Sequence, residues 1–174
     1  MKKIIGYPRL LMSAWMQLRL CGKLFMATIR LPQDFKEFLQ LLNVHRVEYL
    51  VIGGYAVGYY GYPRATADMD IWIALAPPNA EKVVNVLKEF GFDLPQLSID
   101  LFLKENQIIH MGVPPVRIEI ATTIPGVSFE EFYGERVIDE LDGVKVNLID
   151  LKHLKTNKKA SGRYKDLNDL ENLP

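Results

Sequence analysis

Cysteine occurs once in this chain of 174 residues, at Cys21, and histidine only three times. One thiol cannot close an intramolecular disulfide. His45, His110 and His153 stand too far apart in sequence for the short ligand spacings of a structural zinc site. A reducing compartment, the cytoplasm, is the expected setting. Membrane-spanning runs are missing as well. The uncharged stretch from Leu10 to Leu18 falls well short of the about 20 apolar residues that cross a bilayer. It has the length of a signal-peptide core, but Arg19 follows at once with no small-residue cleavage site, and Leu18-Arg19-Leu20-Cys21 is not a lipoprotein cleavage box. No membrane partner is expected.

Acidic residues are absent from residues 1–30, which hold six of the 21 basic side chains. The other fifteen face all 21 acids, so residues 31–174 carry a net charge of minus six under a formal total of zero. A domain with that balance is not a general polyanion binder. What is present suits one folded domain, with 49% hydrophobic and 24% charged residues. Residues 1–30 read as a basic extension ahead of a domain at 31–174, and two accounts of the extension stay open. Either Leu10, Leu11, Ala14, Trp15 and Leu18 form the apolar stripe of a helix that docks elsewhere, or translation starts at Met26. Residues 1–25 are expected to be dispensable for folding.

From Leu31 the patterning becomes regular. Pro32 and Asp34 open a helix with Phe35, Phe38, Leu39, Leu41 and Leu42 at helical spacing. Tyr49 to Ile52 reads as a buried strand ending in Gly53-Gly54, followed by a short helical stretch. After a strand carrying Asp68 and Asp70, Pro77-Pro78-Asn79 is expected to cap a helix from Ala80 to Phe90, closed by Gly91. A second helical stretch is expected around Leu97 to Lys104, then an apolar run at Ile108 to Met111, a turn at Gly112 and Pro114-Pro115, and a strand from Val116 to Ala121.

The chemistry concentrates between Val51 and Ile73. The helical stretch after the glycine pair offers free backbone N–H groups to a phosphate. By the period of two, Asp68 and Asp70 share one face of their strand while Met69, Ile71 and Ile73 take the other. Two carboxylates beside a phosphate repel it unless a divalent cation lies between them. Magnesium suits that place, being a hard ion held by one or two carboxylates and by phosphate oxygens.

Gly53-Gly54, thirteen intervening residues, then Asp68-Met69-Asp70 resembles the signature of the nucleotidyltransferase superfamily, the DNA polymerase beta-like fold. The string Arg64-Ala65-Thr66-Ala67-Asp68-Met69-Asp70 is most similar to the small prokaryotic branch that includes abortive-infection toxin-type nucleotidyltransferases. The resemblance covers residues 31–174. It implies an α+β fold with a mixed β-sheet flanked by helices and a short C-terminal helical pair.

It also implies a third carboxylate on a neighbouring strand. Glu119 is the candidate, because Val116, Ile118 and Ile120 form an apolar face and leave Arg117 and Glu119 on the other. A buried acid needs a cation there, and an ion pair with Arg117 is the alternative. Relatives carry Asp at this point, so Glu is a departure. Leu151 to Leu170 resembles the closing helix pair of the family, with Lys158 as a triphosphate contact and Arg163 ordering the turn or reaching substrate. Asp166 and Asp169 read as structural. Arg64 and Thr66 either contact phosphate or hold the loop. Tyr55, Tyr59, Tyr60 and Tyr62 read as packing residues, one of which is placed to stack on a base, and Trp72 as a wall of the pocket.

The resemblance implies transfer of a nucleoside monophosphate from a nucleoside triphosphate to an acceptor hydroxyl. Two magnesium ions would be held by Asp68, Asp70 and Glu119, and the triphosphate by Gly53, Gly54, Arg64, Thr66, Lys158 and Arg163. The acceptor is a small molecule, a tRNA 3′ end or a cognate partner protein. Two alternatives stand beside it: the interaction half of a toxin-antitoxin module, and a nucleotide-binding domain with little turnover.

Overall fold

The computed structural model of the protein describes residues 29–113 and 116–174. The proposed extension therefore lies outside the described residues, apart from Ile29 and Arg30. Ile29 and Leu31 pack on the core, and the Leu31 amide donates to Asp142 Oδ2 at 3.0 Å.

Helix α1 (Gln33–Val44) leads to strand β1 (Tyr49–Val51) and the short helix α2 (Gly53–Tyr59). Strand β2 (Asp68–Ile73) and helix α3 (Pro77–Glu89) follow, then a 3₁₀ turn at Ile99–Phe102. Strands β3 (Ile108–Val113) and β4 (Val116–Ala121) precede helix α4 (Phe129–Gly134). Strands β5 (Val137–Leu141) and β6 (Val144–Leu148) and the helix pair α5 (Leu151–Ser161) and α6 (Tyr164–Asn172) complete the chain. The six strands form one mixed sheet in the order β3-β4-β2-β1-β6-β5. β2 runs parallel to β4 and β1 parallel to β6, whereas the other neighbours are antiparallel.

Each face of the sheet has its own cover. Met69, Ile71 and Ile73 of β2 and Ile118 and Ile120 of β4 are buried on one side, in one core with Phe35, Phe38, Leu39 and Leu42 of α1 and Val83, Val86 and Leu87 of α3. Those helical positions recur at three and four residues, as an amphipathic face must. On the other side Trp72 packs edge-on against Phe129 and Phe132 of α4, with ring centroids 5.0 and 6.5 Å away. Phe132 in turn stacks on His153 of α5.

Two local expectations change. The helix after β2 begins at Pro77, with Ala76 as its cap residue, and Asn79 lies inside its first turn. Buried Asn79 instead accepts from the Glu48 amide at 2.8 Å and donates to the carbonyls of Glu48 and Ala74 at 3.0 and 3.1 Å. It ties the entry of β1 to the exit of β2, reinforcing the Ala74 amide that already donates to the Glu48 carbonyl at 3.1 Å. The helix expected over Leu97 to Lys104 shrinks to one 3₁₀ turn that drives Phe102 into the core, and Asn106 at φ 58° turns the chain into β3.

The helix pair is built around buried charge. Asp150 caps α5, accepting from the amides of Lys152 and His153 at 3.0 and 3.2 Å, and Gly162 at φ 64° ends it in the left-handed region that glycine enters freely. Lys158 is 3% exposed and meets Asp166 at 2.9 Å and Asp169 at 2.6 Å. Asp169, fully buried, also receives Arg64 through two bonds of 2.7 and 3.0 Å. Removing Asp169 would leave Arg64 without its ion-pair partner and Lys158 with Asp166 alone. Asp169→Ala is therefore expected to lower unfolding free energy by about 3–5 kcal/mol in a urea titration. Tyr164→Ala, at a side chain 94% exposed, should stay within about 0.5 kcal/mol of the parent.

Candidate active site

The parallel register of β2 and β4 sets Asp70 directly opposite Glu119 and Asp68 opposite Arg117. Alternation turns all four side chains to the α4 side of the sheet, away from Met69 and Ile118. The Arg117 Nη2 group lies 2.9 Å from Asp68 Oδ2 and 2.6 Å from Glu119 Oε1. His110 on β3 reaches the same Glu119 oxygen with Nδ1 at 3.2 Å. Asp68 Oδ1 and Arg117 Nε are buried with no hydrogen-bond partner among the described residues.

Asp70 lies against the start of α2. Gly53 at φ 60° passes so close that a β-carbon there would sit 1.8 Å from Asp70 Oδ2. A β-carbon on Gly54 would meet Thr66 Oγ1 at 2.5 Å. Both positions thus require glycine for the approach of these two side chains. The Gly54 amide points at Asp70 Oδ2 from 3.4 Å, and the Thr66 hydroxyl donates to the Asp68 carbonyl at 3.2 Å. Burial raises the Asp70 carboxyl above the ordinary range, and the charge of Glu119 adds to it. The Gly54 amide, the charge of Lys165 and the charge of Asp68 act more weakly, the first two lowering and the last raising.

The C-terminal pair supplies cations above these acids. Arg163 donates to Asp166 Oδ2 at 2.6 Å and, with its side chain 77% exposed, lies within electrostatic reach of Asp70 and Glu119. Lys165, one residue before Asp166, is exposed and acts on Asp70. It is a residue that sequence reasoning missed, because a lysine in a basic run gives no sign of which way it faces. Lys158, expected to meet phosphate, is instead occupied between Asp166 and Asp169. Arg64 holds Asp169 and so fastens the loop before β2 to α6. Burial works to raise the Asp166 carboxyl, but hydrogen bonds from Arg163 and Lys158 outweigh it and hold the group at about 2.

The aromatic residues take packing and anchoring roles. Tyr55 stands edge-on to Phe35 at 5.8 Å, Tyr59 donates to Asp139 at 3.0 Å and Tyr60 to the Ile149 carbonyl at 2.8 Å, while Tyr62 accepts from Asn168 at 2.9 Å. Trp72 lies beneath the acids and is no pocket wall: it is 2% exposed, with its indole N–H donating to the Thr122 carbonyl at 3.3 Å.

The residues fit a divalent cation. Asp68 offers a buried oxygen with no partner, two more carboxylates share its face, and the glycine turn lets the Asp70 carboxylate approach the backbone closely. Asp68, Asp70 and Glu119 are nevertheless spread apart. Among the described residues, the group whose ligand atoms all lie within 4.8 Å of one another is Glu135, Asp150 and His153. There Asp150 is already engaged by the amides of α5 and by His153 Nδ1.

No family model matches the sequence, and no curated protein does. Among solved structures the chain is similar to a crystal structure from Thermotoga maritima described as that of a "putative nucleotidyltransferase". The TM-score is 0.53 at 15% identity, over 92% of this chain and 94% of that one. At such identity the likeness is one of fold, and the chain shares with that structure an α+β arrangement of a mixed sheet flanked by helices.

A carboxylate with a raised pKa favours the fold while it is neutral. That contribution is fully present below the ordinary carboxylate range and is lost as pH rises through the raised value. Asp70→Asn is therefore expected to raise the Tm of metal-free protein at neutral pH by roughly 2–4 °C, with the gain vanishing near pH 3. Melts followed by circular dichroism between pH 3 and 8 check this, and a gain that does not depend on pH would place its cause elsewhere.

Proposed function

We propose that the protein is a magnesium-dependent nucleotidyltransferase that moves a nucleoside monophosphate from a nucleoside triphosphate to an acceptor hydroxyl. One observation carries the reading: Asp68, Asp70 and Glu119 share one face of two adjacent parallel strands, beside a glycine turn, in a chain of this fold. Magnesium, when bound to these carboxylates, would offset phosphate charge and lower the pKa of the acceptor hydroxyl.

The chain's own part is positioning and charge. Asp68 and Asp70 would hold the cation beside the phosphate end of the substrate, and Glu119 faces the acceptor and receives its proton. The acceptor oxygen forms a bond to the α-phosphorus as the bond to the β-phosphate bridging oxygen breaks, and pyrophosphate leaves with the electron pair. Amides of Gly53 and Gly54 and the cations Arg163 and Lys165 face the charge that collects on the leaving group. Arg64, Thr66 and Lys158 act at one remove, holding the loop and the helix pair that present those groups.

The acceptor we favour is a tRNA end or a cognate partner protein, in a toxin-antitoxin setting in the cytoplasm. The resemblance of the Arg64 to Asp70 string supports it, as does the small size of a domain with little structure of its own for choosing a small molecule. Among the described residues no helix is long and apolar enough to cross a membrane. A second reading, nucleotide binding with little turnover, draws on Arg117, whose guanidinium already pairs with Asp68 and Glu119.

Incubation with each of four labelled triphosphates, together with total RNA or lysate, tests the transfer. The Asp68→Asn, Asp70→Asn double variant is expected to keep its circular dichroism spectrum and lose all magnesium-dependent labelling. Glu119→Gln should reduce turnover about 10²–10⁴-fold with nucleotide affinity nearly unchanged. Full activity with a lower Tm would instead assign Glu119 to the ion pair with Arg117.

A further inference from the structure

Arg117 stands where a cation belongs. Its Nη2 group bridges Asp68 Oδ2 and Glu119 Oε1 at 2.9 and 2.6 Å, which is how a divalent ion would link the same two carboxylates. The bridge holds Glu119 on Arg117 and leaves the three acids too far apart to count as a ready metal cage. It does not reach Asp70, and it leaves Asp68 Oδ1 buried and unpartnered. One half of the acid site is thus free for an ion while the other is filled from within. The Arg117 side chain is 31% exposed on the same face, so it has solvent to move into without any change in the sheet.

Charge decides the order. With all three carboxylates ionised, Asp68, Asp70, Glu119 and Arg117 sum to minus two, which one magnesium neutralises. A second ion in the same pocket would leave an excess of two positive charges at short range, opposed strongly in a partly buried site. A triphosphate reverses that balance and offers the displaced planar guanidinium bidentate phosphate partners of its own.

We propose that Arg117 is an internal counter-ion that keeps the Glu119 half of the site closed to metal until a triphosphate arrives. The free protein then takes up one ion at Asp68 and Asp70, and a second enters at Glu119 only with nucleotide. The proposal rests on the nucleotidyltransferase reading. It adds that Arg117 governs when the site becomes complete, so the ion pair is a stage of loading and no sign of a lost activity.

Manganese titration of the full chain, read by the electron paramagnetic resonance signal of the free ion, tests it without any turnover. The parent is expected to bind one ion alone and two with a non-hydrolysable triphosphate analogue. Arg117→Met should bind two without nucleotide, the second at least tenfold more tightly than the parent does. If Arg117→Met does not fold, Arg117→Gln in the same titration serves, since it is also neutral and keeps a polar end between the two carboxylates. Equal stoichiometry and affinity in parent and neutral variant would overturn the proposal, as would two ions in the nucleotide-free parent. Asp70→Asn separates this from failure of the underlying reading. Loss of manganese in that variant with no effect at Arg117 refutes only the counter-ion, whereas undiminished binding places the metal elsewhere and refutes both.

Discussion

Two carboxylates brought into register on adjacent parallel strands repel each other across a few ångströms, and β2 and β4 impose this on Asp70 and Glu119. The pairing cannot slip to relieve it, because a shift of one residue would turn Met69, Ile71, Ile118 and Ile120 out of the core. The hydrophobic side of the sheet therefore fixes an electrostatic problem on the other side. The surroundings of the acids answer it: Arg117 between Asp68 and Glu119, His110 beside Glu119, the Gly54 amide on Asp70, and Arg163 and Lys165 from the helix pair. The Asp70 carboxyl nevertheless remains raised, by its burial first and by the charge of Glu119 second.

The cations above the acids need an anchor of their own, and buried charge provides it. Lys158, Asp166, Asp169 and Arg64 form a chain of contacts that joins α5, α6 and the loop before β2. A buried ion pair adds little net stability over a packed apolar pair, but it tolerates only one geometry. That geometry aims Arg163 and Lys165 at the acids, so the basic run serves the site through the residues it hides as well as those it shows.

Local patterns carried most of what could be read from the sequence. Alternation alone sorted Asp68 and Asp70 from Met69, Ile71 and Ile73, and Arg117 and Glu119 from Ile118 and Ile120, because side-chain direction in a strand is set by the backbone. The strands at Tyr49–Val51, Asp68–Ile73 and Val116–Ala121 and the glycine turn were legible from local pattern, whereas β5, β6 and α4 drew no expectation. Asn79 was not, since its preference for a cap is a local statistic and its partners, Glu48 and Ala74, come from other elements. The partners of Lys158, expected as a triphosphate contact, were hidden on similar grounds: the left-handed turn at Gly162 folds two aspartates back onto it. Trp72 shares the acid face by period, yet its depth depends on α4, which no periodicity in β2 can reveal.

The bond between Arg64 and Asp169 joins residues 105 positions apart, and it bears on the order in which the molecule assembles. Contacts of that span close late, because the entropy of a long loop must be met before the contact returns anything. The β2–β4 pairing that sets the acids in register spans 49 positions and can close before α6 docks. Arg163 and Lys165 take their places only when Asp169 does, so the acids come together before the cations that face them.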